Sequence, residues 1–91
     1  MTHGVQHQES ANRFVIDVDG STCVLDYRLD RGVMTITHTG VPPELGGRGL
    51  AGQLTEAAFS TARSKGWRVV PACSYAARWI EKHPEFKDLL A

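Results

Sequence analysis

The hydrophobic period of this chain changes once, at Val41-Pro42-Pro43, and that change limits the folds open to it. Before it, apolar and polar residues alternate, the pattern of strands with one buried face. Residues 14–18, Phe-Val-Ile-Asp-Val, are rich in β-formers and run into Asp19-Gly20, a strong hairpin signal. Residues 21–29 follow, with Cys23, Leu25, Tyr27 and Leu29 on one face; Asp30-Arg31-Gly32 turns the chain, and residues 33–39 alternate again. Three short strands joined by tight turns predict an antiparallel meander. The two prolines remove backbone donors and stop the ladder. From Leu50 the period is helical: Leu50, Leu54, Ala58 and Ala62 recur at every fourth position, with Ala51, Ala57 and Phe59 widening the stripe and Lys65-Gly66 ending it. At about 1.5 Å per residue this helix spans about 25 Å, enough to cross a small sheet. Residues 67–71 then read as a strand, and a right-handed crossover makes it parallel to 33–39. Residues 74–82 predict a second helix, capped by Ser74 and ended at His83-Pro84. Phe86, Leu89 and Leu90 suggest a last apolar turn. The expected class is α/β: an antiparallel β-meander, a β-α-β crossover and a second helix.

With 91 residues, a single domain is expected, over residues 13–91. Residues 1–12 are almost wholly polar and read as a flexible N-terminal tail, with His3 and His7 solvated instead of holding a metal. No metal site is expected elsewhere. Ten basic and ten acidic side chains give a formal charge of zero, which argues against broad electrostatic binding to nucleic acid or membrane. Cys23 and Cys73 are too far apart in sequence for a metal-type pair, and free thiols in a reducing compartment are the simpler reading. No apolar run approaches the roughly 18 residues of a membrane span. The N-terminus carries no signal pattern, so cytoplasmic residence is expected.

Gly46, Gly47 and Gly49 flank Arg48 between a strand and a helix. Glycine permits a tight turn and lets a ligand approach the backbone. The first amides of a helix lack internal partners and, with the helix dipole, favour an anion. Arg48 adds a guanidinium that suits phosphate oxygens. The pattern therefore suits a pyrophosphate. It lacks the Lys-Ser/Thr ending of a nucleotide P-loop and a well-placed dinucleotide G-x-G-x-x-G run. The alternative is that the glycines only allow a sharp strand-to-helix turn.

The stretch 38–51 followed by a helix resembles motif A of the GNAT superfamily of N-acetyltransferases, Gln/Arg-x-x-Gly-x-Gly/Ala. Gly49 and Ala51 match its last two fixed positions, whereas Gly46 stands where the motif has Gln or Arg, which shifts the expected side-chain contact to Arg48. H-T-G-V-P-P-E-L-G-G-R-G-L-A, then V-V-P-A-C-S-Y, then H-P-E-F resemble the very short single-domain GNAT-like subfamily over residues 14–86. The resemblance implies a minimal GNAT-like core and acetyl-coenzyme A as cosubstrate. Its pyrophosphate would lie on Gly46, Gly47, Arg48, Gly49, Leu50 and Ala51, and its pantetheine arm in a gap between residues 33–41 and 67–72. Backbone amides near Thr39, Gly40 and Val41 would polarise the thioester carbonyl. Related sequences often carry Glu where this chain has Gly40, so a carboxylate base is missing there.

Cys73 follows the last strand and precedes a helix, a position that favours a thiolate and lies at the carboxyl end of the parallel pair. The resembling subfamily has a cysteine here, proposed to act in acetyl transfer as nucleophile or as proton donor to the leaving thiolate. The plainer reading is a small buried residue, and that is the reading for Cys23. His38 ends the third strand and is either the base for an amine or a strand-end histidine. With Gly40 lacking a carboxylate, Glu44 or a water are the other bases to weigh. His83 reads as a helix terminator, Trp67 and Trp79 as core, and Tyr75 as a candidate wall of the thioester pocket. The leading function is an acetyl-CoA-dependent N-acetyltransferase acting on an unidentified amine or protein acceptor, with Cys73 and His38 as catalytic candidates. The alternatives are a non-catalytic coenzyme A-binding module and an interaction domain without cofactor.

Overall fold

A computed structural model describes residues 4–91. The meander forms as β2 (Arg13–Val18), β3 (Ser21–Asp30) and β4 (Val33–Gly40), joined by turns at Asp19-Gly20 and Arg31-Gly32 whose residues all take positive φ. Such turns match the right-handed twist of the flanking strands. Helix α1 (Leu50–Lys65) crosses back, and β5 (Arg68–Pro71) adds parallel to β4, with Val33 opposite Arg68 and Ile36 opposite Pro71. Helix α2 (Ser74–Glu81) and a 3-10 turn (Pro84–Leu89) complete the chain.

One face of the sheet is apolar because alternate residues of each strand are. Phe14, Ile16, Leu25, Met34 and Ile36 are nearly or fully buried there, against Leu50, Leu54, Ala58, Phe59 and Ala62 of α1. Burying a leucine such as Leu54 contributes roughly 1.5–3 kcal/mol. Thr55, the one buried polar residue of the described chain, donates its hydroxyl to the Ala51 carbonyl at 2.8 Å, which satisfies it inside the helix. Among the described residues no helix is long and apolar enough to cross a membrane.

The structure corrects two expectations. The polar stretch over 1–12 is not a free tail throughout: Gln6–Gln8 form an edge strand, β1, antiparallel to β2. His7 explains it. Its ring stacks on Phe14 at 4.1 Å between centroids and is hydrogen-bonded to Tyr27 Oη at 2.7 Å, while Lys65 reaches Glu9 at 3.0 Å. Histidine hides an apolar face that polarity counts overlook. His3 lies outside the described residues. The second correction concerns α2, where Cys73 and not Ser74 is the N-cap; its sulfur accepts the Ala76 amide at 3.4 Å. At the other end of the sheet, Leu90 bridges Val69 and the Ala91 amide donates to the Val69 carbonyl, so the outer edge of β5 is covered.

Candidate active site

The site begins where β4 and β5 part. Their pairing ends at Ile36, whose carbonyl accepts the amides of both Ala72 and Cys73 at 3.0 Å. At the same point β4 bulges. Asp26 of β3 lies opposite His38 and Tyr27 opposite Ile36, so Thr37 has no partner in the ladder. A bulge bends its strand and shifts the face on which later side chains point. Past it, Thr39 lies opposite buried Leu25, and so on the α1 side of the sheet, whereas His38 lies opposite Asp26 on the other face. β5 ends and the chain turns into α2, so the strands part beyond Ile36, and Thr39 Oγ1 and Cys73 Sγ bridge the divergence at 3.5 Å, within hydrogen-bond reach.

Below that divergence the Pro43–Leu45 turn leads into the glycine loop. Gly47 and Gly49 adopt φ of 80° and 75°, a left-handed conformation that L side chains take only at a cost of roughly 1–2 kcal/mol. The first helical bond of α1 runs from the Gln53 amide to the Gly49 carbonyl, at 3.1 Å. Among the described residues, the amides of Gly47, Arg48, Gly49, Leu50, Ala51 and Gly52 donate to no protein acceptor. They border a concavity of about 260 Å³ whose walls include Val41, Gly46, Gly47, Gly49, Leu50 and Ala51, closed by Leu45 and Tyr75. Leu45 escaped the sequence reading; its signal was a lone apolar residue in a proline- and glycine-rich loop. The Arg48 side chain is exposed outside this concavity and makes no ion pair among the described residues.

The candidate catalysts are divided between two faces. Cys73 stands with Thr39 on the α1 side. His38 is exposed on the opposite face, beside Asp26, which binds Arg13 at 2.6 Å. A Cβ at Gly40 would lie 2.9 Å from His38 Nε2, so the imidazole fills the space that a side chain at position 40 would take. Glu44 is tied elsewhere, accepting the Ser21 hydroxyl at 3.1 Å. Cys23 is fully buried, and burial, with Asp17 and Glu44 adding to it, pushes its thiol pKa up, as a core cysteine requires. His83 stacks on Trp79 at 3.8 Å and precedes the last turn, in line with a structural role.

A sequence model of the GCN5-related N-acetyl-transferase family matches residues 13–89. Among solved structures, the fold resembles the solution structure of a GCN5-like candidate N-acetyltransferase from Staphylococcus aureus. The TM-score is 0.75 and the identity 31%, over 97% of this chain and 87% of that one. No curated protein matches the chain.

Proposed function

Because this chain belongs to the GCN5-related N-acetyltransferases, we propose that it transfers the acetyl group of acetyl-coenzyme A to an amine. The observation that carries the reading is the row of unpartnered amides from Gly47 to Gly52 around a concavity beside the β4/β5 divergence. Such amides at a helix start suit a pyrophosphate, and the left-handed glycines keep Cβ atoms off its approach. The pantetheine arm then runs past Val41 toward Thr39 and Cys73. On the other face an amine reaches the same divergence beside His38. Its nitrogen lone pair attacks the thioester carbonyl carbon, the carbon–sulfur bond breaks, and the electron pair leaves on sulfur. His38 takes the proton from nitrogen. Cys73 either supplies a proton to the leaving thiolate or first accepts the acetyl group itself. The open face offers few residues to enclose an acceptor, which fits a large or protein-borne amine. The free thiols of Cys23 and Cys73 fit a reducing compartment such as the cytoplasm.

Gly40 supports a second reading, a coenzyme A-binding module without catalysis, because it lacks the carboxylate that resembling sequences often carry there. Mixing the protein with acetyl-coenzyme A separates the two. Backbone amide shifts should be largest over residues 39–54 and at Cys73, and Arg48→Ala should weaken binding. Turnover on an amine panel supports the enzyme, and an acetyl adduct lost in Cys73→Ser assigns the covalent route. Binding without adduct or turnover favours the module. No shift at all removes both.

A further inference from the structure

The two edges of the sheet are closed in different ways. Along β5 the last residues of the chain are laid down, with Leu90 bridged to Val69 and the Ala91 amide on the Val69 carbonyl. Along β2, a strand of six residues, the cover is β1, a strand of three that reaches only Arg13, Phe14 and Val15. Gln6 and Gln8 are exposed, so His7 alone anchors β1 through its side chain. Its ring lies flat on Phe14, and Nε2 is 2.7 Å from the Tyr27 hydroxyl. Tyr27 is 3% exposed, and its hydroxyl has no other hydrogen-bond partner among the described residues. The phenol proton therefore needs the imidazole as acceptor, which places the neutral ring's own hydrogen on Nδ1. A protonated ring carries hydrogens on both nitrogens. It can only donate to Tyr27, and the buried phenol proton is then left without an acceptor. From β2 and β3 the ring meets Phe14 and Tyr27. The charges that face it are Glu9, in the turn after β1, and Lys65, at the end of α1, which pair with each other at 3.0 Å. Burial opposes the charged ring, Glu9 favours it and Lys65 opposes it.

We propose that protonation of His7 releases β1 and opens the whole outer edge of β2 to the β2 strand of a second copy of this chain. An unpaired edge is a template for another strand. Because the β5 edge stays closed, each chain offers one edge only, and the product is a closed two-fold dimer with its two sheets joined, not a fibre. In the antiparallel register centred on Val15, that residue meets its own copy, Phe14 meets Ile16, and Arg13 meets Asp17. Apolar residues then face apolar ones and opposite charges face each other, both of which stabilise cross-strand pairs. Positions 13–15 are the ones that β1 covers, so this pairing and β1 exclude each other.

Amide hydrogen exchange and analytical ultracentrifugation of the full chain, at about pH 7.5 and about pH 5, test this. On acidification the ladder amides of Gln6–Gln8 should lose roughly tenfold more protection than those between β3 and β4. The sedimenting mass should double. The double variant His7→Phe/Tyr27→Phe removes the titrating ring together with the hydroxyl it serves, and should stay protected and monomeric at both values. Asp17→Lys, at an exposed position, should release β1 on acidification yet remain monomeric, because it sets like charges opposite each other. The wild type decides even if a variant fails to fold. Full protection of β1 in the acidified wild type overturns the proposal. So does a released strand in a chain that stays monomeric, or a dimer in which β1 remains protected. An Asp17→Lys chain that dimerises like the wild type refutes the register.

Discussion

Replacing Gly40 by alanine places one methyl group where the His38 imidazole now lies. The new Cβ meets His38 Nε2 at 2.9 Å but Val24 Cγ2 at 3.5 Å, so the ring must give way and the valine need not. Gly40 does not take a positive φ, so alanine adds no backbone strain. Holding the histidine about 30° from its rotamer costs roughly 0.5–1.5 kcal/mol, and less if the exposed ring swings into solvent. A loss of about 1 kcal/mol lowers the melting temperature of a domain this size by about 4–8 °C. The effect on catalysis should be larger, because a displaced general base forfeits part of a roughly 10²–10⁴-fold contribution. We expect kcat/KM to fall by about 10- to 100-fold with the acetyl-CoA KM little changed, since the glycine loop lies across the sheet. Thiol release from acetyl-coenzyme A, measured with an accepted amine, reads this directly. The same substitution in a His38→Ala background should cost no further activity. An equal loss in both backgrounds refutes the claim that Gly40 acts through the ring, and unchanged turnover in His38→Ala removes the histidine as base.

Gly49→Ala should destabilise the fold by roughly 1–2 kcal/mol, because its φ of 75° disfavours any Cβ although none of its surroundings would touch one. Gly46→Ala, at an ordinary φ of −61°, should cost less; a thermal melt of the pair decides. Burial holds the His7 imidazole pKa below its usual 6.5, opposed by Glu9 and helped by Lys65. The unfolded chain therefore binds this proton at higher pH than the folded one, so stability is full above 6.5 and is lost as pH falls through the lowered value. Denaturation midpoints should drop on acidification below pH ~6.5, and His7→Phe should remove that part of the slope; an unchanged slope contradicts the assignment.

The meander, the crossover helix and the glycine loop were legible because each follows a local period or a turn residue: Asp19-Gly20, the Leu50/Leu54/Ala58/Ala62 stripe, and Gly46 to Gly49 before a helix. The edge strand over Gln6–Gln8 was hidden because its only inward residue is a histidine. The faces of His38 and Thr39 were hidden for a different reason. Alternation from Met34 and Ile36 places His38 with the core, and only the pairing with β3 reveals the bulge at Thr37 that reverses this. Register is a property of two strands, and one strand's sequence does not contain it. The cap on α2 was assigned one residue late because a thiol is a weak acceptor, seldom weighed against a neighbouring serine.

The bulge has a kinetic consequence. By setting His38 and Thr39 on opposite sides of one sheet, it would let the two reactants of the proposed transfer reach a shared opening from separate directions, so that neither stands in the other's path. On the direct-transfer route, acceptor and coenzyme would then exchange independently, in random order. An acceptor too bulky to pass the α1 side would still meet the thioester, because it never has to travel there.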